Sequence, residues 1–392
     1  MVLAVSCYTA AMRQVGLMVA ALFFGACSGI VDGGGGDDDG DGAGDADGGG
    51  GGGDGDGGGG SVQGSSRYFP DGAWFNQDIS DAPVRPDSDA ITAWMVDYTD
   101  NVAGTGPNGW GTDDSDMRID FSIVVVDAPE GADKMEFETV DDYYYPPDCD
   151  HAPMPLPPGG AVERLQGSPV DLSGMEGYDC DGFDGGADCH LLVFAPDESR
   201  LYEIYHATYD GETFRGGCQA IWDTSMVYGD TGRGPGCTSA DAAGFPIAPL
   251  LFRPQDIADG EIAHAIRFIL PNPMIQNRVY VPPGSHSTNS GGPAESVPYA
   301  ALFRLRADYP VEELSPGAQV VARAMQRYGM YLSDGGDLAL TAENDLLLET
   351  SWDEVGLDTF SLEALRATDF EIVDTGERVD DDWNCQRDQI TE

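Results

Sequence analysis

The chain has 392 residues, with 69 aspartates and glutamates against 19 lysines and arginines, a formal net charge of −50. That balance argues against DNA, RNA or an anionic membrane face as a partner, because each needs a positive surface. It also disfavours a polyanionic substrate, and it suits a surface whose repulsion is screened by salt.

In chain order, residues 1–27 read as a lipoprotein-type signal segment. Arg13 precedes an apolar run from Val15 to Phe24, which is too short to span a bilayer, and Gly25, Ala26 and Cys27 follow. FGAC resembles the lipobox of bacterial lipoproteins, with Phe24 where leucine is preferred. The resemblance implies that Cys27 is lipidated and that the membrane is touched through this anchor only. Residues 28–66 read as a tether. From Asp32 to Gly60 the composition is glycine, aspartate and two alanines, with nothing to bury and like charges that repel. The expected location is the cell envelope or cell surface.

Residues 67–392 are long enough for a single globular domain with a substantial core. Six cysteines fall in it: Cys149, Cys180, Cys189, Cys218, Cys237 and Cys385. In an exported chain they read as three disulfides. Spacing alone favours Cys180–Cys189 and Cys218–Cys237 as local closures, with Cys149–Cys385 as a long-range staple. No CxxC pair supports a zinc site.

The first element is a helix over DAITAWMVDYT capped by Ser88. DMRIDFSIVVVDAP alternates and then becomes wholly apolar, the pattern of a buried strand. KMEFETVDDYYYPP suggests a second strand, and strands around LLVF, LYEIYHATY and CQAIWDT follow. Glu261 to Leu270 reads as one strand that places Glu261 and Arg267 on one face and His264 on the other. RVYVP and YAALFRLRADY continue the series. Ser315 and Pro316 then open a helix that stops at Gly329. MYLSD and LALTA suggest a hairpin, SLEALRAT a short helix and FEIVD a terminal strand. The expected fold is mainly β, a β-sandwich or jelly-roll-like domain with a few peripheral helices.

Several side chains could carry chemistry. His264 and His190 are acid–base candidates with Glu261. Arg267, His286, Arg304, Asp241 and Trp222 are candidates for holding substrate. In the blander alternative, His264 is a satisfied core histidine and Glu261 pairs with Arg267. A convergence of His190, His264 and His286 would instead suit a metal-dependent hydrolase. Glu203, Asp223, Asp241 and Glu261 lie near apolar or aromatic residues, where burial could split their pKa values as a two-carboxylate glycosidase requires. Tyr143, Tyr144 and Tyr145 would suit a carbohydrate surface. Asp179, Asp181 and Asp184 resemble part of a calcium loop but lack the remaining ligands, so a structural calcium is the one cofactor they raise.

Taken together, ADCHLLVF, LYEIYHA, TSADAAGFPIAPLLFRPQDIADGEIAHAIRF, VPPGSH and YAALFRLRADYPVEELSPGAQVVARAMQRYGMYLSDGG resemble a family of secreted bacterial proteins. Its members share TSADAAG, GEI-x-HA-x-RF and RALKKYG-like blocks in this order. No established activity comes with the resemblance. It places His190, Glu261, His264, Arg267, His286 and Arg304 in recurring blocks. The chain departs from it in the loop around Cys180 and at Gln326-Arg327. The function expected is that of an extracellular, lipid-anchored glycoside hydrolase or polysaccharide lyase acting on a polysaccharide by acid–base chemistry. The alternative is a noncatalytic glycan-binding or adhesion lipoprotein.

Overall fold

The computed structural model describes residues 67–180, 188–336 and 339–392. Cys27 and the stretch from Asp32 to Gly60 lie outside them. Among the described residues the chain is mainly β, with 18 strands and four α-helices. The largest sheet has six strands, in the order Ile119–Ile123, Ala339–Glu343, Ile266–Leu270, Met330–Gly335, Leu302–Leu305 and Phe370–Ile372. Two of its five ladders are parallel and three antiparallel. This mixed pairing differs from the antiparallel Greek-key pairing of a jelly roll. A four-stranded sheet runs Gln219–Asp223, Arg200–Ile204, Leu191–Ala195 and Val125–Asp127. Val124 separates the first strand of the large sheet from Val125–Asp127, so one stretch of chain serves both sheets.

Side-chain alternation gives the large sheet two unlike faces. On one, Ile119, Phe121, Ile123, Leu340, Phe268 and Met330 are buried. Trp110 packs edge-on against Phe268 and Phe370, and Phe268 against Phe303, with centroids 5.2–6.2 Å apart. The indole Nε1 donates to the Leu365 carbonyl at 2.8 Å, so the core ring has no unsatisfied donor. The other face carries Asp120, Ser122, Thr341 and Arg267, and it is there that the chemistry gathers.

The expected helices form over Ser88–Asp97 and Pro316–Arg327. Ser88 does not cap its helix; its hydroxyl accepts the Ile372 amide at 2.8 Å, tying the helix to the sheet edge. The expected MYLSD–LALTA hairpin is absent. Ile266–Leu270 lies between those two strands, parallel to one and antiparallel to the other. Of SLEALRAT only Ala367 and Thr368 are helical, in the 3₁₀ turn Ala367–Asp369. LYEIYHATY is broken at His206, whose φ is 60°, and YAALF at Ala300, whose φ is 63°. The disulfides are Cys149–Cys218, Cys180–Cys189 and Cys237–Cys385. Only the middle one follows the shortest-loop expectation. The C-terminal segment folds back beside Cys237, with Gly236 against the Asn384 backbone, and brings Cys385 to it.

Phe303 is fully buried among Trp110, Phe268 and Phe370. Phe303→Ala should therefore lower unfolding stability by about 3–5 kcal/mol in urea titration with little change in slope. A loss under 1 kcal/mol would mean that this ring does not anchor the core.

Candidate functional site

Arg267 occupies the polar face near the middle of the large sheet. Its Nε and Nη2 donate to Asp241 at 3.0 and 2.9 Å, a bidentate pair, and Nη1 donates to Thr341 Oγ1 at 3.1 Å. Asp241 is wholly buried. Burial opposes the Arg267 charge, but Asp241 outweighs it and holds the guanidinium firmly protonated. Asp334 lies 3.8 Å from Arg267 Nη2 and accepts the Gly335 amide at 2.7 Å. Desolvation, then repulsion from Asp241, pushes the Asp334 carboxyl up to about 7.

Two strands away, Asp120 sits opposite Thr341 in the ladder. Ser122 Oγ lies 2.7 Å from Asp120 Oδ2 and 2.9 Å from Glu163 Oε1. One hydroxyl proton cannot serve both carboxylates at once, so the bridge is complete when Asp120 is protonated and donates to Ser122. Desolvation, then repulsion from Glu163, raises Asp120 to about 6. Glu163 belongs to a loop rather than a strand. Its Oε2 accepts both the backbone amide of His190, at 3.0 Å, and the ring Nδ1, at 2.7 Å. Burial disfavours its charge, yet these bonds and Ser122 hold it below the ordinary carboxylate range.

The other His190 nitrogen, Nε2, faces the Ala240 carbonyl at 3.2 Å. With an acceptor at each nitrogen, the imidazolium is the form that satisfies both. Burial works against that charge, but Glu163 prevails and raises His190 to about 9. His190 is therefore a fixed cation at neutral pH, not a base. Beside it, the Tyr205 ring lies 5.3 Å away, and its hydroxyl is held up by burial and by Asp188. Asp120, Glu163, Asp334 and Tyr205 are each partly exposed rather than sealed in the core.

The remaining sequence candidates lie elsewhere. Regular strand begins only at Ile266, so Glu261 and His264 precede it. Glu261 is exposed and pairs with Arg327 at 3.0 Å instead of Arg267. His264 is buried, its Nδ1 bonding the Ala265 carbonyl at 2.9 Å, and desolvation lowers its pKa. His286 bonds the Ala242 carbonyl through Nδ1 at 2.8 Å. Its loop thus reaches the segment that also serves His190, while His264 makes its bond elsewhere. Among the described residues no group of three or more His, Cys, Asp or Glu is arranged to hold a metal ion. Arg304 is committed to Glu371 at 2.6 Å and to the carbonyls of Ser80 and Ala82.

Trp222 is buried and donates to Glu203 Oε2 at 3.1 Å. It lines an apolar pocket with Phe69, Trp74, Phe75, Tyr228 and Phe245. Glu203 is fully buried and also accepts the amides of Ile247 and Ala248, so it is a structural acceptor despite being pushed up to about 7. Asp223 is exposed at a turn with Ser225. Asp181 and Asp184 lie outside the described residues; Asp179 follows a 3₁₀ turn and is partly buried.

No family model matches the chain, and no curated protein or solved structure matches it either.

Arg267→Met strands Asp241 as an unpaired buried charge and should cost about 3–5 kcal/mol in urea titration. Arg267→Met with Asp241→Leu should recover part of that loss, and an equal loss in the double variant would show that the pair is not the source. The raised groups also set a pH dependence. Asp120, Asp334, Glu203, Glu343 and His190 stand at about 6, 7, 7, 8 and 9, each above its ordinary value. The folded chain keeps protons there that the unfolded chain releases. Their stabilising effect is full below the ordinary values and is lost as pH rises through the folded ones. In 1 M salt, which screens the net charge, Tm should fall steadily between pH 5 and pH 9 in scanning calorimetry, and a rise over that range would contradict the assignment.

Proposed function

We propose that the protein is an extracellular, lipid-anchored glycoside hydrolase whose acid–base pair is Asp334 and Asp120. The observation that carries this reading is the presence of two partly exposed carboxyls on one sheet face, poised at about 7 and about 6. Between those values Asp334 holds a proton while Asp120 is ionised, the division of labour that glycosidic cleavage needs. Asp334 would protonate the leaving oxygen and Asp120 would act on the opposite side as base or nucleophile. Glu163 and His190 fix the local charge, and Ser122 joins Asp120 to Glu163. The three disulfides suit an oxidising, external compartment.

Hydrolysis is favoured over elimination by a lyase. A lyase must neutralise a uronate carboxylate, and Arg267 is already spent on Asp241 and Thr341. A noncatalytic glycan-binding lipoprotein is the rival reading, and it predicts binding without turnover.

Purified protein should release reducing ends from a polysaccharide in a substrate panel, with a bell-shaped rate profile centred between about pH 6 and 7. Asp334→Asn and Asp120→Asn should each cut kcat at least about 100-fold, whereas Glu261→Ala should change it less than about twofold. Full activity in both asparagine variants would refute the assignment. Unsaturated products would point to a lyase, and binding without products to an adhesion module.

A further inference from the structure

The broken strand after Ile204 exposes an aromatic assembly that the acid–base pair does not use. His206 adopts a left-handed conformation, φ 60°, unusual outside glycine and costly enough to mark functional segments. Its ring stacks on Tyr143 at 4.4 Å and 30°. Tyr205 stands edge-on to both, 5.6 Å from Tyr143 and 5.9 Å from His206. Gly217 makes this approach feasible, since a Cβ there would lie 2.8 Å from Tyr143 Cβ and 3.1 Å from His206 Cβ. Tyr143 is 37% exposed, so the rings run from solvent, through Tyr205, to His190. His206 Nδ1 is buried with no hydrogen-bond partner. Tyr144 and Tyr145 are engaged otherwise, Tyr144 with Gln389 and Tyr145 with the Asp142 carbonyl.

We propose that Tyr143, His206 and Tyr205 form a stacking subsite for a pyranose ring of an uncharged polysaccharide, adjoining His190 and Asp334. This inference rests on the hydrolase reading of those groups. A flat ring edged by polar groups matches a sugar, which offers an apolar C–H face and a rim of hydroxyls. Asp188 bears on Tyr205, and Asp141 and Asp142 precede Tyr143. Their charges repel uronate and sulfated chains, which leaves neutral glycans as the class that fits.

The test uses the full chain with hydroxyethylcellulose, xyloglucan and laminarin, and with polygalacturonate as the charged comparator. Binding is read by affinity electrophoresis and turnover by reducing ends, for the wild type, Tyr143→Ala, Tyr143→Phe and Tyr144→Ala, each checked by thermal melting. The expected result is binding to a neutral glycan. Tyr143→Ala should then raise KM or Kd about tenfold with kcat within about twofold, while Tyr143→Phe keeps wild-type values. Turnover that Tyr143→Ala leaves untouched would overturn the subsite and spare the hydrolase. Binding lost in Tyr143→Ala but without turnover in any variant would support the subsite and sink the hydrolase. Preference for polygalacturonate, or no glycan binding at all, would overturn the subsite.

Discussion

The bidentate contact between Arg267 and Asp241 is the constraint on which the polar face of the large sheet depends. An arginine in the strand Ile266–Leu270, among Ile266, Phe268 and Leu270, is tolerable only with its charge matched and its donors satisfied. Asp241 supplies the match, and so the loop that carries it must lie over the sheet. That loop is held by the Cys237–Cys385 disulfide, by Ser239 bonding Asp241 and Phe245, and by Ser285 bonding the Cys237 carbonyl. Once in place it does more than neutralise a charge. The Ala240 carbonyl faces His190, the Ala242 carbonyl faces His286, and the Ala242 amide reaches Asp334 at 3.4 Å. One buried ion pair therefore sets the positions of groups drawn from three other segments.

The same arrangement explains why neighbouring carboxyls behave differently. Glu163 has its acceptors filled by His190 and Ser122, so its charge is held despite burial. Asp334 stands near a guanidinium already claimed by Asp241, and it feels that aspartate as much as the arginine. Asp120 has a hydroxyl neighbour but also the fixed negative charge of Glu163. What separates the acids is the order in which the available cations are used. Two cations, Arg267 and His190, are taken by Asp241 and Glu163, and the remaining acids ionise only at higher pH than an ordinary carboxyl.

The sequence made the fold class and both long helices legible, because strand alternation, Pro316 and Gly329 act through local physics. It could not reveal the insertion of Ile266–Leu270 between the last two long strands, since ladder order is a long-range choice. The histidine in HLLVF was visible as a candidate, but its role was not, because Glu163 comes from a loop with no pattern of its own. Asp120 did carry a signal. In RIDFSIVVV the polar residues at 120 and 122 alternate with buried Ile119, Phe121 and Ile123, which marks a strand with one polar face. Among 69 acids such a signal is easily lost. Glu261 and His264 misled for the opposite reason: a continuous strand was assumed across residues where the chain is still irregular.

These polar groups also lie close to a seam in the architecture. Ile119–Ile123 belongs to the large sheet and Val125–Asp127 to the smaller one, so Asp120 and Ser122 stand just before the chain changes sheets. His190 stands just before Leu191–Ala195, the strand that pairs with Val125–Asp127. The Ser122–Glu163–His190 bridge thus joins the end of a strand in one sheet to the residue just before a strand of the other. The Cys180–Cys189 disulfide holds the chain immediately before His190, and the Ala207 amide bonds the Cys189 carbonyl at 2.8 Å. A bridge between separately hydrogen-bonded sheets keeps its geometry only if both sheets are rigid at the junction, and these two attachments provide that rigidity on the smaller sheet. On the larger sheet it comes from the aromatic packing on the opposite face, beneath Arg267. The polar face and the apolar core are therefore two sides of one requirement, because the acids can hold distinct protonation states only while the strands beneath them do not shift.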